Sequence, residues 1–579
     1  MRLNKIIRKL KLKFYETNKN ISNIIGSYNL VGSLIVLLTI ILNFGFNDIL
    51  IKQQNIIIFI VSFFYLSTYL IRVAVNINFW NFIKDNKILS FIILLISFDL
   101  LNFFLLEYFF KQNSTTRVLI ILIIQFYYFF DSLSSILKDN NNLNKKPISP
   151  PLLLILSFSS LIIFGTLLLM MPEVSSNGVS IGFKNALFTS VSAITVTGLT
   201  ILETAIDFSF KGQVIILLLI QLGGINIIAF ATFFALFSRK GLGIEQQKMI
   251  SENFNTQNLL SGKSLLIKVF TFSIIIELIG ILIIFSNYNF NYNMLFESIF
   301  HSISAFNNAG FILSTDFFDS LNLKWCFTIL IFLGAVGFPT LSDLISNIST
   351  NRNWKTLHLT TKISFLSSII LIFFGALMLF LLENNNISNY ENTFEKITNF
   401  IFHSTSGRTA GFSSIDFGTL GFPILIIFIF LMFIGASPGS FGGGIKTNTF
   451  VLIIYSFFAT IRGKKKIEIY NRTISSSLLY KSFSILLFAI LTIIIGWFFL
   501  LLTNPAIDPI FLLFEQTSAF STVGLSTGDT TKNLSDSGQY IIIITMFIGR
   551  IGTLLMAFSL IQKRKSSNYN FPKAHLMIG

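Results

Sequence analysis

Four stretches of small and hydroxyl-bearing residues, each closed by a glycine, recur at nearly constant intervals along the chain of 579 residues. They are Thr195-Val196-Thr197-Gly198, Asn307-Asn308-Ala309-Gly310, Arg408-Thr409-Ala410-Gly411 and Ser521-Thr522-Val523-Gly524, with glycine spacings of 112, 101 and 113 residues. The first, second and fourth copies place a serine six residues before the glycine (Ser192, Ser304, Ser518) and an alanine after it; the third has Thr405 and Ser406 there. A fixed period of this kind means one supersecondary unit copied four times, and it constrains the architecture before any local pattern does.

The repeats sit in a chain suited to a bilayer. Hydrophobic residues make up 53% and charged residues 12%, against about 25% charged in soluble domains. Apolar runs of about 20 residues, long enough to cross the hydrocarbon layer as helix, fall at 152–171, 214–237, 266–285, 422–434 (continuing past a break) and 485–502. Cys326 is the single cysteine, which excludes an intrachain disulfide and a thiolate metal cluster, and the four histidines show no ligand spacing. No small-residue cleavage site follows the first apolar run, so no removable signal peptide is read.

Each repeat parses as a long apolar helix, a short amphipathic segment, the glycine loop and a second long apolar helix. These fall at 152–171, 183–193, 195–199 and 214–237; at 266–285, 294–305, 307–311 and 327–345; at 363–382, up to a loop at 408–412, and 422–459; and at 485–502, 510–520, 521–525 and 540–561. A segment of about 12 residues is too short to span and reads as re-entrant. Irregular backbone at that depth is tolerated only where protein buries it or it lines a wet cavity, so four such loops imply one shared axial cavity. The predicted fold is an all-α integral membrane protein: residues 1–146 form an N-terminal extension, and pore repeats occupy 147–240, 241–350, 351–465 and 466–579.

Charge sets the orientation. The segments after the repeats are basic: Arg239-Lys240, 352–362, Arg462-Gly463-Lys464-Lys465-Lys466 and Lys563-Arg564-Lys565. The loops beside the glycine segments carry Glu173, Glu203, Asp207, Asp316, Asp319, Glu383 and Glu391. The positive-inside rule then puts the basic loops and both termini in the cytoplasm and the glycine loops outside. The net charge of +16 is a cytoplasmic rim facing lipid, not a nucleic-acid surface. In the extension, 1–13 is basic without an acid, and four apolar spans follow near 30–46, 56–75, 88–110 and 118–137. Tyr69-Leu70-Ile71-Arg72 and Phe98-Asp99 resemble voltage-sensor helices, but the fourth span offers only Arg117, and sensing needs several charges.

A cation filter needs backbone carbonyls in place of a water shell, and aiming successive carbonyls at one axis requires left-handed dihedrals that glycine adopts freely. Thr195, Val196, Thr197, Gly198, Asn307, Asn308, Ala309, Gly310, Thr409, Ala410, Gly411, Ser521, Thr522, Val523 and Gly524 are therefore the candidate ion-binding residues. A second motif, Gly435-Ala436-Ser437-Pro438-Gly439-Ser440-Phe441-Gly442-Gly443-Gly444-Ile445-Lys446-Thr447, interrupts an apolar helix. It is not a nucleotide-binding loop, because Ile445 separates Gly444 from Lys446. No catalytic cluster of Ser/His/Asp, paired carboxylates or His-metal ligands is present in the sequence, which argues against the alternative of a membrane-embedded enzyme or a non-transporting sensor.

The four glycine loops, with Phe311, Phe412, Leu199 and Leu525 following their glycines, resemble the filters of the Trk/Ktr/HKT potassium transporters over roughly residues 150–579. Gly241-Leu242-Gly243, Leu259-Leu260-Ser261-Gly262 and the tail Phe571-Pro572 to Met577-Ile578-Gly579 point to the bacterial Ktr-type membrane subunit. The resemblance implies potassium uptake across the bacterial cytoplasmic membrane, with potassium as the transported ion and no covalently bound cofactor. Glycine in all four filters implies potassium preference. It further implies a homodimer, a separate cytoplasmic nucleotide-binding regulatory subunit, and a gate built from 435–444 with Lys446 and Arg550. Arg408 is expected to point behind the filter, tied to a carboxylate or to carbonyls. Glu515 either biases the outer vestibule toward cations or satisfies helix backbone.

Overall fold

In the computed structural model, the described residues are short stretches between 32 and 97 and then 150–237, 262–289, 291–314, 320–349, 354–383, 393–464 and 466–552. In the N-terminal extension, residues 60–67, 69, 70, 92–94, 96 and 97 are helical. The remainder of the four-span extension, Arg117, and the basic segments at 239–240 and 563–565 lie outside the described residues.

The helix–short helix–loop–helix unit occurs four times. The first unit is α1 (Pro150–Leu169), α2 (Phe183–Thr195) and α3 (Phe210–Phe237). The second is α4 (Gly262–Asn287), α5 (Leu295–Asn307), α6 (Leu321–Val336) and α7 (Phe338–Ser349). The third is α8 (Leu359–Glu383), α9 (Thr393–Thr409), α10 (Phe422–Phe433) and α11 (Thr447–Ile461). The fourth is α12 (Ser476–Thr503), α13 (Pro509–Ser521), the single turn α14 (Thr530–Asn533) and α15 (Asp536–Ile551). Local chemistry sets several of these starts: Asp508 accepts from Ile510 N at 3.0 Å ahead of Pro509, and Ser535 accepts from Gly538 N at 3.1 Å, the usual capping arrangement.

Val269–Asn287, Leu359–Glu383 and Ser476–Thr503 are long and apolar enough to cross a membrane unbroken. Large apolar side chains such as Leu282, Phe373, Leu381, Leu491 and Ile495 project outward and exposed from them. In water such a surface would drive aggregation; against lipid it is the ordinary one, and the inward faces are held by small residues instead.

The units close into a ring. Within each, the first long helix packs on the short one; between units, α3 contacts α5, α6 contacts α9, α10 contacts α13, and α15 returns to α2. The last seam is a continuous apolar core, in which Leu500, Leu512, Ile542 and Met546 meet Phe188, Val191 and Ile216.

Two features differ from the sequence expectation. The second long helix of the second repeat, expected as one span over 327–345, is broken at Gly337 between α6 and α7 by a bend of 101°. Gly337 has φ 85°, and a Cβ there would lie 2.9 Å from Pro438 O, so the loop at 435–444 occupies the path a straight helix would take. The all-α expectation also omits a two-stranded antiparallel hairpin, β1 (Glu468–Ile469) and β2 (Arg472–Thr473), turned by Tyr470 and Asn471 at φ 49° and 59°.

Candidate ion pathway

Three of the four short helices end by throwing their backbone into the left-handed region. Val196 (φ 56°, ψ 51°), Asn308 (59°, 44°) and Thr522 (50°, 51°) cap α2, α5 and α13, donating their N–H groups back to the last turn. The repeated serine braces the loop beyond the cap. Ser192 and Ser518 accept from the amides of Gly198 and Gly524, each at 3.1 Å, while Ser304 donates to Phe311 O at 2.8 Å. The third copy reaches the same end differently. Ala410 N still bonds Ser406 O at 2.8 Å, extending the helical hydrogen bonding by a residue, so Ser406 rather than Thr405 donates to the loop, at Phe412 O (2.6 Å), and Thr405 turns to Ile401 O.

The four loops meet at their glycines. Gly198, Gly310, Gly411 and Gly524 have φ of 91°, 72°, 77° and 93°. A Cβ on Gly198 would lie 2.4 Å from Ala309 O, on Gly310 2.6 Å from Ala410 O, on Gly411 2.2 Å from Val523 O, and on Gly524 2.1 Å from Thr197 O. Every glycine thus abuts the carbonyl that precedes the next glycine, and the fourth abuts the first repeat. Dihedral and space both exclude a side chain at these four positions. The result is a closed ring holding the carbonyls of Thr197, Ala309, Ala410 and Val523.

Side chains of the candidate residues mostly face protein. Val196, Ala309, Ala410 and Val523 are fully buried. Thr195 and Thr197 share a hydroxyl contact of 2.7 Å. Asn308, with its amide oriented to suit its neighbours, donates to Ile331 O at 3.1 Å and accepts from Ala335 N at 3.2 Å. Asn307 turns away from the ring, donating to Gln221 Oε1 at 3.0 Å and Glu277 Oε1 at 3.2 Å. Thr409 Oγ1 and Ser521 Oγ are buried with no hydrogen-bond partner among the described residues. Glu515 is fully buried and accepts from Ser526 Oγ (2.6 Å), Thr527 N (3.0 Å) and Thr531 Oγ1 (2.6 Å). Its carboxylate therefore organises the segment after the fourth glycine instead of facing an open vestibule. His301, which accepts from Leu313 N at 3.0 Å, and His403, 3.0 Å from Ser414 Oγ, do the same in the second and third copies.

The glycine-rich segment 435–444 joins α10 to α11 and lies against the ends of α9 and α13. Gly443 N donates to Thr522 Oγ1 at 2.9 Å, and a Cβ on Gly442 would lie 3.5 Å from Thr409. Its backbone is stitched to the broken span: Ser437 N to Ala335 O at 3.0 Å and Phe338 N to Gly439 O at 3.3 Å. The Phe441 ring packs on Phe306 with centroids 5.1 Å apart. Arg550, buried in α15, donates to Phe441 O and, at 2.8 Å, to Gly223 O. Lys446 Nζ donates to Gly442 O at 2.6 Å, closing the loop on itself. Arg408 is also buried, behind α9, where its Nη1 reaches the Ser368 carbonyl at 3.4 Å and, among the described residues, no carboxylate.

Sequence reasoning passed over the residues that mount the ring. Gly223, Gly334 and Gly549 lie 24 or 25 residues past their loop glycines, and a Cβ on any would collide with the carbonyl of Ile194, Phe306 or Phe520. The fourth member of that set is Gly435, where the glycine-rich segment begins. Glu277 was also missed, although a lone carboxylate in an apolar span is itself a signal.

A protein-family model described as TrkH, cation transport protein, matches residues 122–570. The Ktr system potassium uptake protein B of Bacillus subtilis is 37% identical over 425 residues, covering 72% of this chain and 93% of that one. The Ktr system potassium uptake protein D of the same organism is 36% identical, covering 71% and 93%. The potassium/sodium uptake protein NtpJ of Enterococcus hirae is 33% identical, covering 72% and 94%. Among solved structures, the potassium transporter TrkH from Vibrio parahaemolyticus superposes with a TM-score of 0.60 over 82% of this chain and 96% of that one, at 16% identity; this shows the fold.

Proposed function

Since the chain belongs to the TrkH cation transport family, we propose that it takes up potassium across the membrane as the translocating subunit of a Ktr/Trk-type system. It is a multi-pass membrane transporter and not an enzyme. The observation that carries the reading is the closed ring of Gly198, Gly310, Gly411 and Gly524 with the four carbonyls between them. Carbonyl oxygens fixed around one axis replace the water shell of a monovalent cation without adding charge that would hold it too tightly.

The residues 195–198, 307–310, 409–411 and 521–524 act as the filter, and their side chains brace it rather than ligate. The segment 435–444, bonded to Thr522 and clamped by Arg550 and Lys446, acts as the gate. The two cations add a positive barrier on the path the ion leaves by. The relatives named as Ktr system proteins support a partner in a larger system; here that partner is a separate cytoplasmic nucleotide-binding subunit, and the transporter is a homodimer. The protein lies in the bacterial cytoplasmic membrane with both termini inside, as the basic loops require.

Growth of potassium-transporter-deficient bacteria on limiting potassium, with and without this chain, tests the reading. Rescue that sodium does not replace is expected; failure to rescue with the protein present in the membrane would sink it. Because one relative is named for both ions, rubidium uptake in competing sodium is measured alongside.

A further inference from the structure

Three side chains depart from the four-fold pattern, and the fold brings them to one point. The short-helix hydroxyls fix the internal alignment: Ser190 donates to Ile162 O at 3.0 Å, Ser302 to Glu277 O at 2.7 Å and Ser404 to Ile372 O at 2.7 Å. Glu277 therefore stands where the first and third repeats have isoleucine, three residues before a helix glycine in each; the fourth has Ile493. Gln221 stands two residues before Gly223, and its counterparts before Gly334, Gly435 and Gly549 are Phe332, Phe433 and Phe547. Asn307 occupies the place of Thr195, Arg408 and Ser521, three residues before the filter glycine. Two apolar positions have become polar, and a third polar one an amide, at one seam between the first and second repeats.

The three amide and carboxylate groups satisfy one another. Asn307 Nδ2 donates to Gln221 Oε1 at 3.0 Å, Glu277 Oε1 at 3.2 Å and Ile303 O at 2.9 Å, and Gln221 Nε2 donates to Glu277 Oε2 at 3.0 Å. Gly224 makes room, since a Cβ there would lie 1.8 Å from Asn307 Oδ1. Glu277 is buried. A carboxylate at that depth is expensive, and two amides offset the expense only in one geometry, which fixes Asn307 sharply. Asn307 is followed by Asn308, the left-handed pivot from which the second filter segment leaves its helix, and then by Ala309, whose carbonyl lies against Gly198.

We propose that Glu277 and Gln221 are positioning residues that set the second filter segment through Asn307 and thereby tune discrimination among monovalent cations. The inference rests on the filter reading above. The side chains that bond the carboxylate give the effect its direction: among the described residues, every side-chain hydrogen bond to Glu277 comes from Asn307 or Gln221, so any change in the carboxylate acts on the filter and not on a remote ion pair.

The test is rubidium uptake, with and without sodium, by proteoliposomes of the full chain. Glu277→Gln sets an amide N–H₂ against one of the two amide donors. It should raise the half-saturating rubidium concentration roughly five- to tenfold, the effect of one misdirected buried hydrogen bond, and improve sodium competition, with a smaller change in maximal rate. Adding Gln221→Glu to Glu277→Gln exchanges the two groups, so that the new amide N–H₂ meets a carboxylate and Asn307 Nδ2 keeps acceptors on both neighbours, and should return half-saturation toward wild type. A lower maximal rate with unchanged half-saturation, and no rescue by Gln221→Glu, would show a packing role only and overturn the proposal. If Glu277→Gln is not recovered folded, Gln221→Met, close to the apolar counterparts at that position, carries the same test, and unchanged half-saturation overturns it. Gly198→Ser is run beside them. Altered discrimination there with none in Glu277→Gln or Gln221→Met keeps the filter and removes the positioning role; no change in any of them removes the filter reading itself.

Discussion

The amide of Gly443 donates to the hydroxyl of Thr522 at 2.9 Å. One group belongs to the glycine-rich segment of the third repeat and the other to the glycine loop of the fourth, so the proposed gate and the proposed filter share a hydrogen bond. If the segment gates by moving as proposed, it must break this bond.

Thr522→Val keeps the β-branched shape in a left-handed position and removes the acceptor. Loss of one such bond is worth about 1 kcal/mol, so rubidium uptake should rise roughly three- to fivefold, whereas Thr522→Ser should stay near wild type. Uptake unchanged in the valine variant would mean that the bond does not hold the gate.

Gly198→Ser and Gly411→Ser each place a Cβ within 2.4 Å and 2.2 Å of the next repeat's carbonyl. The ring must open at that point, so potassium preference over sodium should fall by more than protein yield does. Competition uptake checks this, with membrane protein quantified in the same cells.

Arg550 spans two repeats, donating to Phe441 O in the third and Gly223 O in the first. Arg550→Gln should loosen the segment and lower the positive barrier together, raising tracer flux; Arg550→Lys keeps the charge but not the two-pronged geometry and should fall between. Deleting 436–442 should raise flux at least as far. Flux that falls in folded protein for both changes would make the segment a scaffold.

A surface tie joins the fourth repeat to the first: Lys532 Nζ lies 2.8 Å from Glu203 and 3.2 Å from Asp529. The hydrogen bond to Glu203, and secondarily that to Asp529, hold the ammonium above the ordinary lysine value of 10.5. A raised value means the tie is fully present below that ordinary value and is lost as pH rises through the raised one. Melting of wild type and Lys532→Met should therefore differ slightly at neutral pH, less in high salt as expected for an exposed pair, and converge under alkaline conditions. A difference that grows with pH would refute the tie.

The four-loop arrangement was readable because three demands coincide in the letters: a span too short to cross, a glycine at its end, and the same pair at matched intervals. The break at Gly337 was not read, because residues 329–339 carry no polar side chain and periodicity alone favours continuity. Gly337 followed by Pro339 was the available signal for a stop and a fresh start. The shift of Ser406 by one position could not be resolved from spacing, since only the extra helical hydrogen bond of Ala410 explains it. Side-chain direction was the hardest part. Asn307 and Glu515 sit at or beside the glycine loops in sequence, yet Asn307 spends its amide on neighbouring helices and Glu515 its carboxylate on the segment after the fourth glycine. The partners of Asn307 lie on helices 86 and 30 residues away, and no local pattern records such a pairing.

The glycine ring also has a consequence for how the protein is made. Its closing contact, Gly524 against Thr197, joins segments synthesised more than three hundred residues apart. Three inserted repeats leave a notch with a carbonyl edge and no partner, and only the last hairpin to emerge completes it. Contacts of such long range form late, so a chain halted before the fourth repeat holds an open cleft and not a narrower pore. The closure of the glycine ring is decided in the final step of assembly.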